Sequence, residues 1–191
     1  MPKKARVPEA LSALRVATEE KGFSMPSDDS TGALLRTLAS SKPGGRLLEL
    51  GTGTGLSTAW ILDGMDTEAR LISVDNDAEF QTVARKHLRD RRCEFVCGEG
   101  GEYVAGQEAG SVDFLFADTW PGKFTFLDET LALLKPGGLY LVDDLLSQPN
   151  WPEDHPSKVT LYLAEMHARE DLRVAQLDWG TGHLLATKLG E

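Results

Sequence analysis

The stretch RLLELGTGTGLSTAWI, residues 46–61, decides the fold of this chain. It starts as an apolar run typical of a buried strand, turns through glycines, and continues in a pattern typical of a helix. The turn contains three glycines, Gly51, Gly53 and Gly55. Glycine allows positive φ and the close approach of a ligand to the backbone. Ser57 and Thr58 can cap the following helix, whose first N–H groups attract a carboxylate, so we expect a ligand at this end of the strand.

An acidic residue, Asp75, ends the next predicted strand in the sequence LISVDND, 24 residues after Gly51. A carboxylate at this position can accept hydrogen bonds from both ribose hydroxyls of an adenosine. Strand, GxGxG turn, helix, strand and terminal acid in this order indicate a site for a nucleotide-like cofactor. The GxGxxG fingerprint of nicotinamide cofactors would need a glycine at Leu56, and no GKS or GKT follows as in a phosphate-binding P-loop.

Apolar runs that suit buried strands alternate with helical stretches along the rest of the chain, which predicts a parallel sheet with right-handed crossovers. The predicted strands are 46–50, 71–74, 93–97, 112–117, 138–143, 172–177 and 183–188. The predicted helices are 8–21, 29–40, 56–63, 77–90, 101–107, 123–134 and 157–169. Only DWGTG separates the last two strands, so these two are expected to pair as an antiparallel hairpin.

These elements predict an α/β fold with a Rossmann-like, doubly wound and mostly parallel seven-stranded sheet. The sheet would end in the C-terminal antiparallel hairpin and carry helices on both faces. We expect a single domain over residues 1–191, a length that suits one hydrophobic core. N-terminal helices would occupy residues 1–40 and the Rossmann-like core residues 46–191.

The charge of the chain disfavours several classes of partner. The sequence has 30 acidic and 20 basic side chains, a formal net charge of -10. Such a surface repels the phosphates of nucleic acids and anionic lipids, so we expect neither a nucleic-acid nor a membrane partner. The basic start has no apolar segment behind it as in a secretory signal, and the expected location is the cytoplasm.

ELGTGTG followed by VDND resembles motif I and its acidic partner in class I S-adenosylmethionine (SAM)-dependent methyltransferases. In this resemblance Glu49 matches the acid before the glycines, the loop holds the methionine part of SAM, and Asp75 holds the ribose. The resemblance implies SAM contacts at Met25, Glu49, Gly51, Thr52, Gly53, Gly55, Ser57, Asp75, Asn76, Gly98, Glu99, Gly100, Asp118 and Trp120. GEGGE, residues 98–102, would surround the adenine, although a plain strand-to-helix turn explains it equally well.

Three acids, Asp118, Asp143 and Asp144, end the fourth and fifth predicted strands. Adjacent parallel strand ends bring such residues together, and three carboxylates repel unless a cation or protons compensate. Hard oxygen ligands of this kind suit Mg²⁺, Mn²⁺ or Ca²⁺. FLFADTWPGKF followed by LALLKPGGLYLVDDLL resembles catechol O-methyltransferase and the bacterial cation-dependent O-methyltransferases, which implies that these acids bind a metal. Helix caps and loop salt bridges are the metal-free alternative.

The chain departs from the cation-dependent family at two positions. Asp144 stands where the family has Asn, and Pro121 stands where catechol O-methyltransferase has its catalytic lysine. The nearest lysine is Lys123, which is a candidate general base beside Asp118, or else a solvated side chain that begins a helix. Met25 matches a methionine near the SAM methyl group in catechol O-methyltransferase, and ordinary apolar packing explains it equally well.

The resemblance implies methyl transfer from the SAM sulfonium to an oxygen of a small acceptor, catechol-like or with vicinal hydroxyls, assisted by the metal. The alternatives are a metal-independent methyltransferase that acts on another acceptor, and a SAM-binding module without catalysis. The resembling enzymes are often dimers, so a homodimer is expected.

Residues outside the motifs carry weaker expectations. Trp120 and Trp151 either wall an aromatic acceptor or pack in the core. His155 is expected to be a solvated loop residue, and His183 a structural one.

Overall fold

The computed structural model describes residues 7–148 and 151–190, which form one seven-stranded sheet covered by helices. The strands are β1 (Arg46–Leu50), β2 (Arg70–Asp75), β3 (Cys93–Cys97), β4 (Val112–Ala117), β5 (Leu134–Val142), β6 (Leu172–Leu177) and β7 (His183–Lys188). The helices are α1 (Leu11–Lys21), α2 (Asp29–Ser40), α3 (Leu56–Gly64), α4 (Ala78–His87), α5 (Gly100–Ala105), α6 (Leu127–Ala132) and α7 (His155–Ala168). In these described ranges, no helix has both the length and the apolar character needed to cross a bilayer.

The strand order is β3-β2-β1-β4-β5-β7-β6. The first five strands in this order pair in parallel, whereas β7 pairs antiparallel with both β5 and β6. The predicted doubly wound sheet with a C-terminal antiparallel hairpin is therefore confirmed, with the last strand inserted inside the sheet. The order reverses between β1 and β4, and the glycine turn after β1 lies at this reversal, where α/β sheets bind ligands.

Both faces of the sheet are buried, as the apolar strand sequences predict. Along β4, Phe114 and Phe116 enter one core cluster while Leu115 and Ala117 enter the other. This alternation follows from the period of two in a strand, which sends successive side chains to opposite faces. Helices α1 to α4 cover the first cluster and α5 to α7 the second, so helices flank both faces.

Several predicted boundaries differ from the structure. The predicted helix 123–134 begins only at Leu127, because the N–H groups of Lys123 and the two residues after it all donate to the carbonyl of Trp120. These hydrogen bonds form a tight turn instead of a helical start. Strand β5 begins at Leu134 rather than at residue 138. Leu134 pairs with Val112, and the register of the two strands shifts between this pair and the pair of Phe114 with Leu139.

The carboxyl of Glu49 in β1 is fully buried and ties three elements together. Ser57 in α3 donates to Oε1 over 2.6 Å, while Thr58 and Ser73 each donate to Oε2 over 2.5 Å. The expectation that Ser57 and Thr58 cap α3 is wrong. The N-cap is Gly55, so no side chain caps this helix, and both hydroxyls donate to Glu49 instead. Burial raises the pKa of Glu49 from 4.5 to about 7, against the three hydroxyl donors, which lower it.

This raised pKa predicts that stability falls as the pH rises from about 4.5 to about 7. In this window the unfolded chain releases the Glu49 proton while the folded chain keeps it, which favours unfolding by up to about 3 kcal/mol. Urea unfolding of wild type and Glu49→Gln across this range should show a pH slope that the variant lacks. Glu108→Gln, at an exposed acid, should keep the slope. Equal slopes in wild type and Glu49→Gln would contradict the prediction.

Candidate active site

A cavity of about 720 Å³ opens at the carboxyl ends of the parallel strands. This size lies within the range of small-molecule sites in proteins. Most of the predicted site residues line it: Met25, Gly51, Thr52, Gly53, Ser57, Asp75, Asn76, Glu99, Gly100, Asp118, Trp120, Lys123, Asp143 and Asp144. Three predicted residues, Glu49, Gly55 and Gly98, are not in the lining. Glu49 lies beneath the turn, Gly55 is the N-cap of α3, and the Gly98 N–H donates to the Asp75 carbonyl over 2.9 Å.

The glycine turn passes so close to the end of β4 that a side chain at Gly51 has no room. A Cβ atom there would lie 2.8 Å from Thr119 Cγ2 and 3.0 Å from the carbonyl oxygen of Asp118, and the φ of 106° also favours glycine. The turn leads into α3. The N–H of Ala59 donates to the carbonyl of Gly55 over 2.9 Å and makes the first hydrogen bond of the helix. The start of α3 therefore points backbone donors and the positive end of the helix dipole toward the cavity.

Backbone donors fix the carboxylate of Asp75 at the end of β2. The Gly53 N–H donates to Oδ2 over 2.7 Å, and the Asp77 N–H donates to Oδ1 over 2.8 Å. Beside it, the Asn76 amide donates to Glu99 Oε1 over 3.1 Å. The predicted ribose and adenine residues after β2 and β3 therefore meet at one end of the cavity.

An aromatic pair that the sequence analysis missed closes the same end of the cavity. Phe23 and Phe80 line it with ring centroids 4.8 Å apart. No sequence signal marks them, because Phe23 lies between α1 and α2, far from the motif it covers. Met25 follows on the rim and is 67% exposed, so it does not pack in the core.

The other end of the cavity contains the three predicted acids. Asp143 is buried and accepts hydrogen bonds from the Thr181 hydroxyl and, over 2.7 Å, from the N–H of Asp144. His183 Nε2 lies 3.2 Å from the same carboxylate. Asp144 has a φ of 64°, and both of its carboxylate oxygens lie 2.9 Å from the indole nitrogen of Trp151, which donates to them.

The ammonium group of Lys123 is buried among these acids. Its Nζ donates to the backbone carbonyl of Asp143 over 2.7 Å and to that of Asp144 over 3.1 Å. Burial lowers the pKa of Lys123, against the pull of the neighbouring carboxylates. The pKa of Asp118 is raised well above its ordinary value, first by burial and then by repulsion from Asp143. Lys123 is thus a fixed cation within the acidic cluster, and not a solvated side chain at a helix start.

The acidic cluster does not fit the divalent-metal site that the sequence predicts. Among the residues that the structure describes, no group of three or more His, Cys, Asp or Glu side chains is arranged to hold a metal ion. The carboxylates of Asp143 and Asp144 accept from protein donors, and the buried Lys123 side chain lies next to these two residues, where it donates to their backbone carbonyls. The structure therefore does not support Asp118, Asp143 and Asp144 as a metal-ligand set, and these acids form a lysine–carboxylate cluster with Lys123.

The structure also corrects the expectation for His155, which is 5% exposed and begins α7. Its ring lies 4.3 Å from the Trp151 ring and 5.2 Å from the Phe124 ring, measured between centroids. Nε2 lies 3.8 Å from Asp144 Oδ2, and neither ring nitrogen has a hydrogen-bond partner in the described ranges. Burial and the nearby charge of Lys123 lower the pKa of His155.

A family model described as a methyltransferase domain matches residues 48–145, which run from β1 to just beyond the acid pair after β5. This segment contains the glycine turn, Asp75 and the lysine–carboxylate cluster. The chain belongs to this methyltransferase domain family. The match includes the glycine turn and the three acids, whereas other residues of the cavity lining, among them Phe23, Trp151 and His155, lie outside it, as do α1, α2, α7 and the hairpin.

Curated relatives of this methyltransferase domain are longer proteins. A protein of Mycolicibacterium vanbaalenii with O-methyltransferase in its name is 31% identical over 119 residues, which cover 59% of this chain and 53% of the relative. A Mycobacterium avium protein with the same designation is 29% identical over 139 residues, covering 68% of this chain and 63% of the relative. The match therefore spans little more than half the length of the first of these relatives.

Solved structures share the fold over nearly the whole chain. A Corynebacterium glutamicum protein superposes with a TM-score of 0.85 at 23% identity, covering 98% of this chain and 93% of that one. The O-methyltransferase TomG of Streptomyces achromogenes, solved in complex with SAM, gives 0.83 at 23% identity, covering 97% and 92%. A Bacillus cereus O-methyltransferase, solved in complex with SAH, gives 0.83 at 16% identity, covering 97% and 93%. These matches confirm the Rossmann-like fold class.

Removal of the buried cation should destabilise the domain. Lys123→Met leaves Asp118 and its neighbours without their compensating charge, and we expect a loss of about 3 kcal/mol in the free energy of unfolding. Urea unfolding at neutral pH measures this loss. Lys86→Met, at an exposed lysine on α4, is the matched control and should change stability little. Equal stabilities of the two variants would show that Lys123 does not compensate the cluster.

Proposed function

We propose that this protein is a SAM-dependent methyltransferase that methylates an oxygen atom of a small acceptor. The proposal rests on one observation, namely that a single cavity has two chemically different ends. One end combines the glycine turn, the start of α3 and the backbone-fixed Asp75, and the other contains the buried lysine–carboxylate cluster. The names of the relatives as O-methyltransferases, and the SAM and SAH in two structural neighbours, support the same assignment.

The cofactor is proposed to lie along the glycine turn. The ribose hydroxyls would donate to Asp75, and the adenine would lie near Asn76, Glu99 and Gly100. The carboxylate of the methionine part would meet the backbone N–H groups at the start of α3. Ser57 would contribute its backbone and not its hydroxyl, which donates to Glu49.

The reaction requires alignment more than bond-making groups. Bound SAM supplies an electrophilic methyl group on a sulfonium, and the acceptor oxygen must approach it in line with the sulfur. The cavity walls would hold the acceptor between the glycine turn and the acidic cluster, with Trp120 and Trp151 as flat apolar surfaces. Met25, Thr52 and Asp118 stay predicted contacts near the transferred group.

Lys123 fits a positioning role better than the role of general base. Its Nζ donates to two backbone carbonyls, which hold the strand end that presents Asp143 and Asp144. We therefore propose transfer without a divalent metal, in which the lysine supplies the positive charge that the cation-dependent relatives take from an ion.

Calorimetric titration with S-adenosylhomocysteine (SAH) tests the cofactor site. Wild type should bind SAH, and Asp75→Ala should weaken binding by about 10- to 100-fold, because a carboxylate that accepts from the ribose is lost. Glu79→Gln, which removes an exposed acid in the first turn of α4, should bind as wild type does. A wild-type protein that does not bind SAH overturns the proposed function.

Addition of Mg²⁺ tests the metal-free arrangement. We expect the melting temperature and the SAH affinity of wild type to be the same with Mg²⁺ as with EDTA, because the described acids are not arranged to hold a metal ion and Lys123 lies beside them. Differential scanning calorimetry and the SAH titration provide the two measurements. A stabilisation by Mg²⁺ that disappears in Asp143→Ala would contradict the lysine–carboxylate interpretation.

A further inference from the structure

The buried imidazole of His155 has no structural explanation in its own contacts. Both ring nitrogens lack hydrogen-bond partners in the described ranges, although the ring is 5% exposed. A buried polar group without a hydrogen-bond partner destabilises the folded state, so packing alone would favour Leu or Phe among these aromatic rings. The carboxylate of Asp144 lies near Nε2, with an N–O distance of 3.8 Å.

Asp144 is the more accessible acid of the pair that follows β5. Its side chain is 34% exposed, compared with 3% for Asp143, and it lines the cavity. Its positive φ of 64° turns the residue out of the strand direction, a conformation that Asp tolerates better than most residues. Trp151 donates to the carboxylate, which keeps further lone pairs for a ligand.

We propose that Asp144 binds and deprotonates the acceptor hydroxyl, and that His155, which lines the same cavity, positions the Asp144 carboxylate. This inference rests on the proposed function and names the acceptor side of the same cavity. The 3.8 Å separation fits a hydrogen bond that tightens when the acceptor is bound, as catalytic hydrogen bonds do on complex formation. Asp144 thus takes the hydroxyl directly, where a cation-dependent enzyme would use a metal.

The transfer step balances without a further reactant. A lone pair of the acceptor oxygen forms the O–CH₃ bond while the S–CH₃ electron pair returns to sulfur, which converts SAM to SAH. The hydroxyl proton moves to the Asp144 carboxylate and then to solvent. In this step His155 donates to the Asp144 carboxylate and takes no proton from the acceptor, so it acts as a positioning residue.

The charge of the site selects the acceptor class. Three carboxylates, those of Asp118, Asp143 and Asp144, line the cavity together with Lys123, and this excess of acidic groups disfavours an anionic acceptor. The indole rings of Trp120 and Trp151 in the cavity wall favour a flat aromatic compound. One hydroxyl is enough, because no metal requires a vicinal pair. A neutral phenol is therefore the acceptor class that the site fits, and 4-ethylphenol is a suitable probe with 4-hydroxybenzoate as its anionic counterpart.

The test measures methyl transfer from labelled SAM to both probes. Wild type should methylate 4-ethylphenol at least about tenfold faster than 4-hydroxybenzoate, a preference of about 1.4 kcal/mol. Asp144→Asn keeps the acceptor for the Trp151 N–H but loses the base, and should lower kcat by about 100-fold with unchanged SAH affinity. His155→Phe should lower kcat, and His155→Gln, which retains a donor, should restore part of it. His167→Gln, at an exposed position on the same helix, is the control and should act as wild type.

The failure of this inference differs from failure of the proposed function. Wild type that binds SAH but neither methylates 4-ethylphenol nor binds it, as followed by tryptophan fluorescence, overturns the phenol site and leaves the SAM site standing. An Asp144→Asn variant with wild-type kcat overturns the role of Asp144. Equal rates for His155→Phe and His155→Gln overturn the role of His155 as a donor to Asp144.

Discussion

The buried carboxyl of Glu49 is the constraint on which the cofactor end of the cavity depends. It lies in β1, inside the sheet, and its two oxygens accept hydrogen bonds from hydroxyl groups of α3 and β2. A carboxyl in such surroundings is stable only when hydrogen bonds replace the water it has lost. The position of α3 relative to β1 and β2 follows from this requirement, and the glycine turn is the segment that must join them. A second hydroxyl pair, Thr52 with Ser73 at 2.6 Å, anchors the turn to the same network.

At the other end of the cavity, where we propose that the acceptor binds, buried carboxylates must also be stabilised, and this chain does so in a different way. Several carboxylates converge there, and a protein can balance them with an ion, with protons, or with its own cation. This chain places Lys123, which the turn after β4 buries, next to the acids. The pKa of Asp118 is nevertheless raised, first by burial and then by repulsion from Asp143. At position 144 this chain has Asp where the cation-dependent family that it resembles has Asn. Trp151 donates to this carboxylate, and His155 lies beside it.

Local patterns predicted the strands, the hairpin and the cofactor motif, because these depend on periodicity and on glycines close together in sequence. Features that depend on distant contacts were not predictable. The Lys123 turn arises from three N–H groups that share the Trp120 carbonyl, which a helical pattern does not reveal. The burial of His155 depends on packing against Phe124, a residue 31 positions earlier in the chain. The predicted metal site finds no support in the structure, because spacing places acids together without showing which donors contact them.

The insertion of β7 between β5 and β6 has a consequence for biosynthesis. Thr181 and His183, which approach the Asp143 carboxylate, lie at and just before the start of this last strand. A ribosome releases them after every other element of the sheet, so a nascent chain that has completed β5 still carries Asp143 without these partners. The family region, residues 48–145, is therefore synthesised before the contacts of Asp143 can be completed. These contacts form only after residue 183 has been synthesised.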